Sequence, residues 1–244
     1  GASVEIQDFR DYVPGDDPRR IDWLAYGRTN RMVVRLYREE VSPFFDAVVD
    51  TSASLAIPDG RKRALAHELC RWLHCSAGTV GTALRLFAAG RGVRRLEGPR
   101  QVEFGDETSS LLERPRRVAQ RLRRSSVRLL LSDFMAPGDP ARVIRPFAES
   151  CSRLVVVRLL GPWEADPGPR GPVELVEPEG GRRRQINIDA GAVRAYRRRL
   201  EALTEALRDE VFRCGGRFVD VVADCSLEEA LRRQFLPAGL VKVH

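Results

Sequence analysis

Apolar residues return along this chain in two rhythms. Near-continuous apolar runs stand at residues 44–50, 127–132, 153–160 and 217–223. Residues 82–88 alternate instead, and an Ala-Gly-Arg-Gly turn leads from them into 93–97. Continuous runs suit strands covered on both faces. Between these runs the apolar positions recur every three or four residues. In 61–76, Leu65, Leu69, Trp72 and Leu73 form one stripe. In 191–213, Val193, Tyr196, Leu200, Leu203, Leu207 and Val211 do the same, and Gly215-Gly216 ends the helix. Residues 109–124 are helical in pattern, with Pro115 either starting a second helix or kinking the first. Asp139-Pro140 reads as a cap followed by Pro at the first helical position, and Ser226-x-x-Glu229 as a capping box. This alternation predicts an α/β fold: a doubly wound, mostly parallel sheet with 44–50 near its middle and 93–97 as an antiparallel edge.

Two stretches depart from the alternation. Residues 1–42 are charged and aromatic and are expected to form an N-terminal arm packed on the core, before a main domain spanning 43–244. Pro14-Gly15 favours a turn and Asp17-Pro18 a helix start. Arg10, Asp11, Asp16, Arg19, Arg20 and Asp22 are read as a salt-bridged cover over the sheet, with direct partner contact as the alternative. Residues 161–190, rich in Pro and Gly, are expected to form an inserted β-hairpin.

The chain has 244 residues, 43% of them hydrophobic, enough for one sizeable core. No apolar run approaches the roughly 18 residues of a membrane span. No stretch of the chain reads as a signal peptide, so none is expected. The chain begins at Gly1, and a membrane anchor upstream of it is compatible with this reading. Five cysteines without CxxC spacing suggest free thiols in a reducing compartment, hence a cytoplasmic protein.

The net charge of +7 invites a nucleic-acid reading. Yet only Lys62 and Lys242 are lysines among 41 basic residues, which points to compositional bias towards Arg. Aromatics are not interleaved with the basic stretches, as stacking platforms would require. His67, Cys70 and His74 could share a helical face as zinc ligands, but the second His of a zinc-protease helix is lacking. There is no Gly-x-Ser-x-Gly elbow and no phosphate-binding loop, and His67, His74 and His244 have no evident acid–base partners.

Candidate chemistry lies at strand ends. Asp50 closes the first core strand, with Ser52 and Ser54 following at alternate positions. Asp133 closes the run at 127–132, and Gly105-Asp-Glu-Thr108-Ser-Ser lies between. Ligands of doubly wound sheets bind outside the carboxyl ends of the strands, so the two acids are expected to meet at one edge. Carboxylates and hydroxyls are hard oxygen ligands suited to Mg²⁺ or Mn²⁺. Helix capping is the other reading of Asp50, Ser52 and Asp133.

Asp50-x-Ser52-x-Ser54, with a later Thr and a later strand-end Asp, resembles the metal-ion-dependent adhesion site of von Willebrand factor type A domains. Asp11-Tyr-Val-Pro-Gly-Asp-Asp17, Arg20-Ile-Asp-Trp23 and Arg35-x-x-x-Glu39-Glu40 resemble the signature of the bacterial domain of unknown function 58 family, and the resemblance runs over essentially the whole chain. It implies a type A-like, Rossmann-like domain that binds Mg²⁺ or Mn²⁺ through Asp50, Ser52, Ser54, Thr108 and Asp133. Asp106-Glu107 stands where the family pattern has a Gly-rich lead-in, so Ser109 and Ser110 remain alternatives to Thr108. It also implies a non-enzymatic adaptor whose partner is a MoxR-type AAA+ ATPase, or a protein ligand offering an acidic residue. A metal-dependent phosphohydrolase and an Arg-rich nucleic-acid binder are the rival readings. The first usually needs further Asp or His ligands where Ser52 and Ser54 stand.

Overall fold

The computed structural model describes residues 4–14, 16–39, 44–106, 108–136, 138–176 and 182–241. Gly15, Glu40, Glu107, residues 177–181, Lys242 and His244 lie outside the described residues. The chain divides into two compact units, Gly1–Ser42 and Pro43–His244.

In the smaller unit, β1 (Val4–Asp11) pairs antiparallel with β2 (Val33–Glu39), and α1 (Trp23–Thr29) lies between them in sequence. The charged signature does local work. Asp17 caps a short 3-10 turn at Pro18–Arg20, and Asp22 caps α1 by accepting from the amides of Leu24 and Ala25. Asp16 grips Arg10 with both carboxylate oxygens and also accepts from the amide of Val13. The hairpin was not expected in this stretch. Its pairing register shifts between Ile6 and Asp8, and such an irregularity breaks the period of two along the strand.

The central sheet of the larger unit holds six strands: β3 (Phe45–Asp50), β4 (Leu84–Ala89), β5 (Val93–Leu96), β6 (Val127–Ser132), β7 (Arg153–Leu160) and β10 (Arg217–Val222). They lie in the order β10-β7-β6-β3-β4-β5. All pairs are parallel except β4–β5, so β3 is internal and β5 is the antiparallel edge, as the sequence pattern predicts.

Alternate residues of the strands feed two cores, because successive side chains point to opposite faces. Ala47, Val49, Leu129, Leu131, Val155 and Val157 pack with Leu65, Leu69 and Leu73 of α2 (Arg61–Thr79). Val48, Leu130, Leu154 and Val156 pack with a second set of helices: α4 (Pro115–Ala119), α5 (Pro140–Ala148) and α7 (Ala190–Arg213). Pro115 opens α4 directly after α3 (Ser110–Glu113), so it starts a new helix rather than kinking one. Asp139, Asp189 and Ser226 cap α5, α7 and α8 (Leu227–Ala230) as their sequence context requires.

The inserted hairpin is shorter than the 161–190 expected. Its strands are β8 (Gly171–Val176) and β9 (Arg183–Ile188), and the stretch opens instead with a helical turn, α6 (Pro162–Ala165). Pro162 at its first position and Glu164 at its third carry the signature of a helix start.

Candidate functional site

Chain order reverses between β3 and β6. From β3 the chain moves outward through α2 to β4 and β5, then returns to build β6 on the other side of β3. A reversal of this kind opens a crevice at the carboxyl ends of the two strands. Asp50 is the last residue of β3, and Asp133 directly follows β6. The two acids therefore stand at the lips of that crevice, and both are buried.

Asp50 is fully enclosed. One carboxylate oxygen accepts from the backbone amide of Ser52 (3.0 Å) and the other from the hydroxyl of Ser132 (2.6 Å). Burial first, and the charge of Asp133 second, push its carboxyl up to about 6, against the pull of these hydrogen bonds. Ser52 and Ser54 hydroxyls lie 3.0 Å apart, with Ser52 buried and Ser54 half-buried. Neither Asp50 nor Ser52 caps the next helix. The short 3-10 turn at Ala53–Ala56 has no side-chain cap, and α2 starts from Gly60 without one. The capping alternative for these two residues therefore does not hold.

Asp133 accepts from the amide of Met135 (3.2 Å) and from the ammonium of Lys62 (3.3 Å). Phe134 beside it is buried with a φ of +52°, in the left-handed region that a bulky side chain rarely occupies. Such a conformation costs roughly 1–2 kcal/mol and clusters at functional sites.

The loop carrying Thr108 is tied to the same edge. Asp106 forms an isolated parallel bridge with Ser52, its carbonyl accepts from the amide of Ala53 (2.8 Å), and its carboxylate accepts from the Thr51 hydroxyl (2.8 Å). Gly90, at the end of β4, lets this carboxylate approach. A Cβ there would stand 1.6 Å from an Asp106 carboxylate oxygen. Of the three candidate hydroxyls in this loop, Ser109 caps α3 through the amide of Leu112, and Ser110 donates to the carbonyl of Gly90. Among the described residues the half-buried Thr108 makes no hydrogen bond, including to Asp50, Ser52, Ser54 or Asp133.

The structure thus joins Asp50, Ser52 and Ser54 by hydrogen bonds or adjacency, sets Asp133 within electrostatic reach, and brings the Thr108 loop to the same strand edge. Ser132, Lys62 and Glu164 belong to this neighbourhood and are absent from the sequence-derived set. For Ser132 a signal existed, since it directly precedes Asp133. Lys62 and Glu164 are distant in sequence and carry no local mark. The donors are two carboxylates and hydroxyls, all hard oxygens. Among the described residues no cluster of three or more His, Cys, Asp or Glu side chains has metal-holding geometry. The zinc alternative on α2 meets a further obstacle: Cys70 is buried in the core, where burial pushes its thiol up to about 12, and His67 stands edge-on to Phe104.

Fold and site together define a doubly wound α/β domain with a carboxylate–hydroxyl cluster at its topological switch point. The chain belongs to the family described as Protein of unknown function DUF58, whose model matches residues 8–208. It is 26% identical over 249 residues to uncharacterized proteins of Mycobacterium tuberculosis and Mycobacterium bovis, covering 92% of this chain and 76% of theirs. Among solved structures it is similar to the conserved hypothetical protein BatB from Bacteroides thetaiotaomicron. There the TM-score is 0.42 at 9% identity, over 81% of this chain and 98% of that one. An aerotolerance-related membrane protein from Bacteroides fragilis gives a TM-score of 0.42 at 10% identity, over 78% and 96% of the two chains. No helix among the described residues is long and apolar enough to cross a membrane.

Proposed function

We propose that this chain is a non-enzymatic protein-binding adaptor whose type A-like domain holds one Mg²⁺ or Mn²⁺ at the β3–β6 crevice. Asp50, Ser52, Ser54, Thr108 and Asp133 are the donors in this reading, some of them through water. The observation that carries it is the buried carboxylate pair at the switch point, with Asp50 pushed up to about 6 by burial and by Asp133. Among the described residues the Lys62 ammonium joins Asp133 but not Asp50, and a buried carboxylate without a cation is costly beside a second acid. Thr108 is preferred over Ser109 and Ser110 because those two hydroxyls are already engaged in the fold. A divalent ion held by neutral hydroxyls and two acids keeps its electrophilic character and offers a position towards solvent to a Glu or Asp of a partner. A MoxR-type AAA+ ATPase is the partner that the family resemblance implies in this reading. All five cysteines are free thiols, which supports a reducing, cytoplasmic setting.

Calorimetric titration of Mg²⁺ and Mn²⁺ into wild type and Asp50→Ala tests the reading. Wild type should bind ion and melt at a higher temperature with it. Asp50→Ala should keep its far-ultraviolet spectrum, lose ion binding, and lose any ion-dependent association with the purified ATPase. Equal, negligible heats and unchanged melting temperatures for both chains would overturn it.

A further inference from the structure

Lys62 breaks two local rules at once. Its side chain is 1% exposed, although lysine is almost never fully buried unless paired. It also sits in the first turn of α2, where a cation opposes the helix dipole. Packing gives no reason for a charge there, and neither does helix stability. Places where a chain violates its own local rules are where function is expected.

The ammonium has two acidic partners. It stands 2.7 Å from Glu164 in α6 and 3.3 Å from Asp133. Glu164 is itself positioned: its other carboxylate oxygen accepts from the amide of Gly161 (2.6 Å), and its carbonyl accepts from the Tyr196 hydroxyl of α7 (2.7 Å). The chain uses Arg almost everywhere, with only two lysines among its 41 basic residues. At this position it uses the compact, single-point cation instead of the planar guanidinium fork.

We propose that Lys62 is a resident cation of the crevice that competes with a divalent ion for Asp133 and so sets the affinity of the site. This rests on the metal reading above. With Lys62 in place, Asp133 is shared between an ammonium and the ion, and the positive charge beside the site opposes the arrival of a second cation. Glu164 moderates the competition by holding the ammonium on its own side. Ion binding then shifts Lys62 from Asp133 towards Glu164, whose helical turn is tied to α7 through Tyr196. A signal from the crevice reaches the far helical layer along that route.

Two substitutions of opposite sign test the proposal. Lys62→Met keeps the length and burial of the side chain and removes its charge. It should raise Mn²⁺ affinity by about tenfold or more. Glu164→Gln keeps the side-chain shape, leaves the ammonium wholly on Asp133, and removes a negative charge nearby. It should lower affinity by a comparable factor. Titration of Mn²⁺ by electron paramagnetic resonance reads free ion directly in wild type, both variants and Asp50→Ala. Circular dichroism and melting in chelator check that each chain is folded, and Lys62→Gln, which also removes the charge and should likewise bind Mn²⁺ more tightly than wild type, carries the test if Lys62→Met is unfolded.

A role of Lys62 in structure alone makes both variants bind ion as wild type does or more weakly. That result, or tighter binding by Glu164→Gln, overturns the competition while the metal reading stands. Failure of the wild type and of both variants to bind Mn²⁺ overturns the metal reading, and the proposal with it.

Discussion

Asp46 and Asp50 lie on one strand, are both fully buried, and do opposite jobs. Burial alone would raise the carboxyl of Asp46, but a two-pronged ion pair with Arg85, the amide of Arg123 and the Ser126 hydroxyl outweigh it and hold it below the usual range. Asp50 has the Ser52 amide and the hydroxyls of Ser132 and Ser52 but no cation for partners, and Asp133 nearby, so it goes the other way. Asp46→Ala leaves Arg85 largely buried without its acid, and should cost about 3–5 kcal/mol in urea denaturation. The two residues are four apart on the strand, roughly 13 Å, so ion binding should be unchanged in any Asp46→Ala chain that folds.

The pH dependence of Asp50 has a definite sign. Its folded carboxyl is raised to about 6 from an unfolded value of 3.8, so the folded chain holds a proton that the unfolded chain releases. Stability of the metal-free protein is therefore highest below about pH 4 with respect to this group. It falls as pH rises through about 6, by about 3 kcal/mol in all. Asp46 contributes in the other direction and only at lower pH, because its folded carboxyl is depressed. Denaturation in chelator from about pH 4 to about pH 7 should show the fall in wild type and a flatter profile in Asp50→Asn. A profile identical in both chains would remove the claim that Asp50 is strained by burial.

Among the elements, the β4–β5 turn and the 102–109 loop act together. Gly90 has no side chain, the Asp106 carboxylate fills the space over it, and Thr51 and Ser110 close the contact. Gly90→Ala puts a methyl 1.6 Å from that carboxylate and 2.6 Å from the Thr51 hydroxyl. Neither neighbour is loose, so the loop must move. We expect a loss of about 1–3 kcal/mol by denaturation, and weaker ion binding because Thr108 travels with the loop. Loss of stability with full ion affinity would show that Thr108 is not a donor.

For the complete chain, the +7 charge is the property most open to misreading. Several of its arginines are committed to the fold. Arg85 and Arg158 pair with Asp46 and Asp220, Arg145 pairs with Glu210, and Arg128 donates to the carbonyls of Phe147, Glu149 and Arg123. Arginines used in this way do not make a phosphate-binding stripe. A mobility-shift assay at physiological salt should give little binding to DNA or RNA. Tight binding that falls steeply with salt would restore the nucleic-acid reading, since counterion release produces that dependence.

How much of this was legible beforehand follows the range of the interactions. Strand and helix positions, caps, the edge strand and the break at Pro115 depend on neighbours a few residues apart, and the periodicity shows them. Asp50-x-Ser52-x-Ser54 is legible for the same reason, because alternate spacing across a strand end keeps its groups together. The β1–β2 hairpin escaped because its register irregularity upsets the period the reading relies on. The turn at α6 was hidden inside a Pro- and Gly-rich stretch. The contacts that set the site's charge span far longer intervals: 55 residues from Thr51 to Asp106, 71 from Lys62 to Asp133 and 102 from Lys62 to Glu164. No period encodes such pairs. They exist because strand order reverses between β3 and β6, which brings distant strand ends to one crevice and excludes water there. A lysine that reads as an ordinary helix residue in the chain thereby becomes a buried cation between two acids.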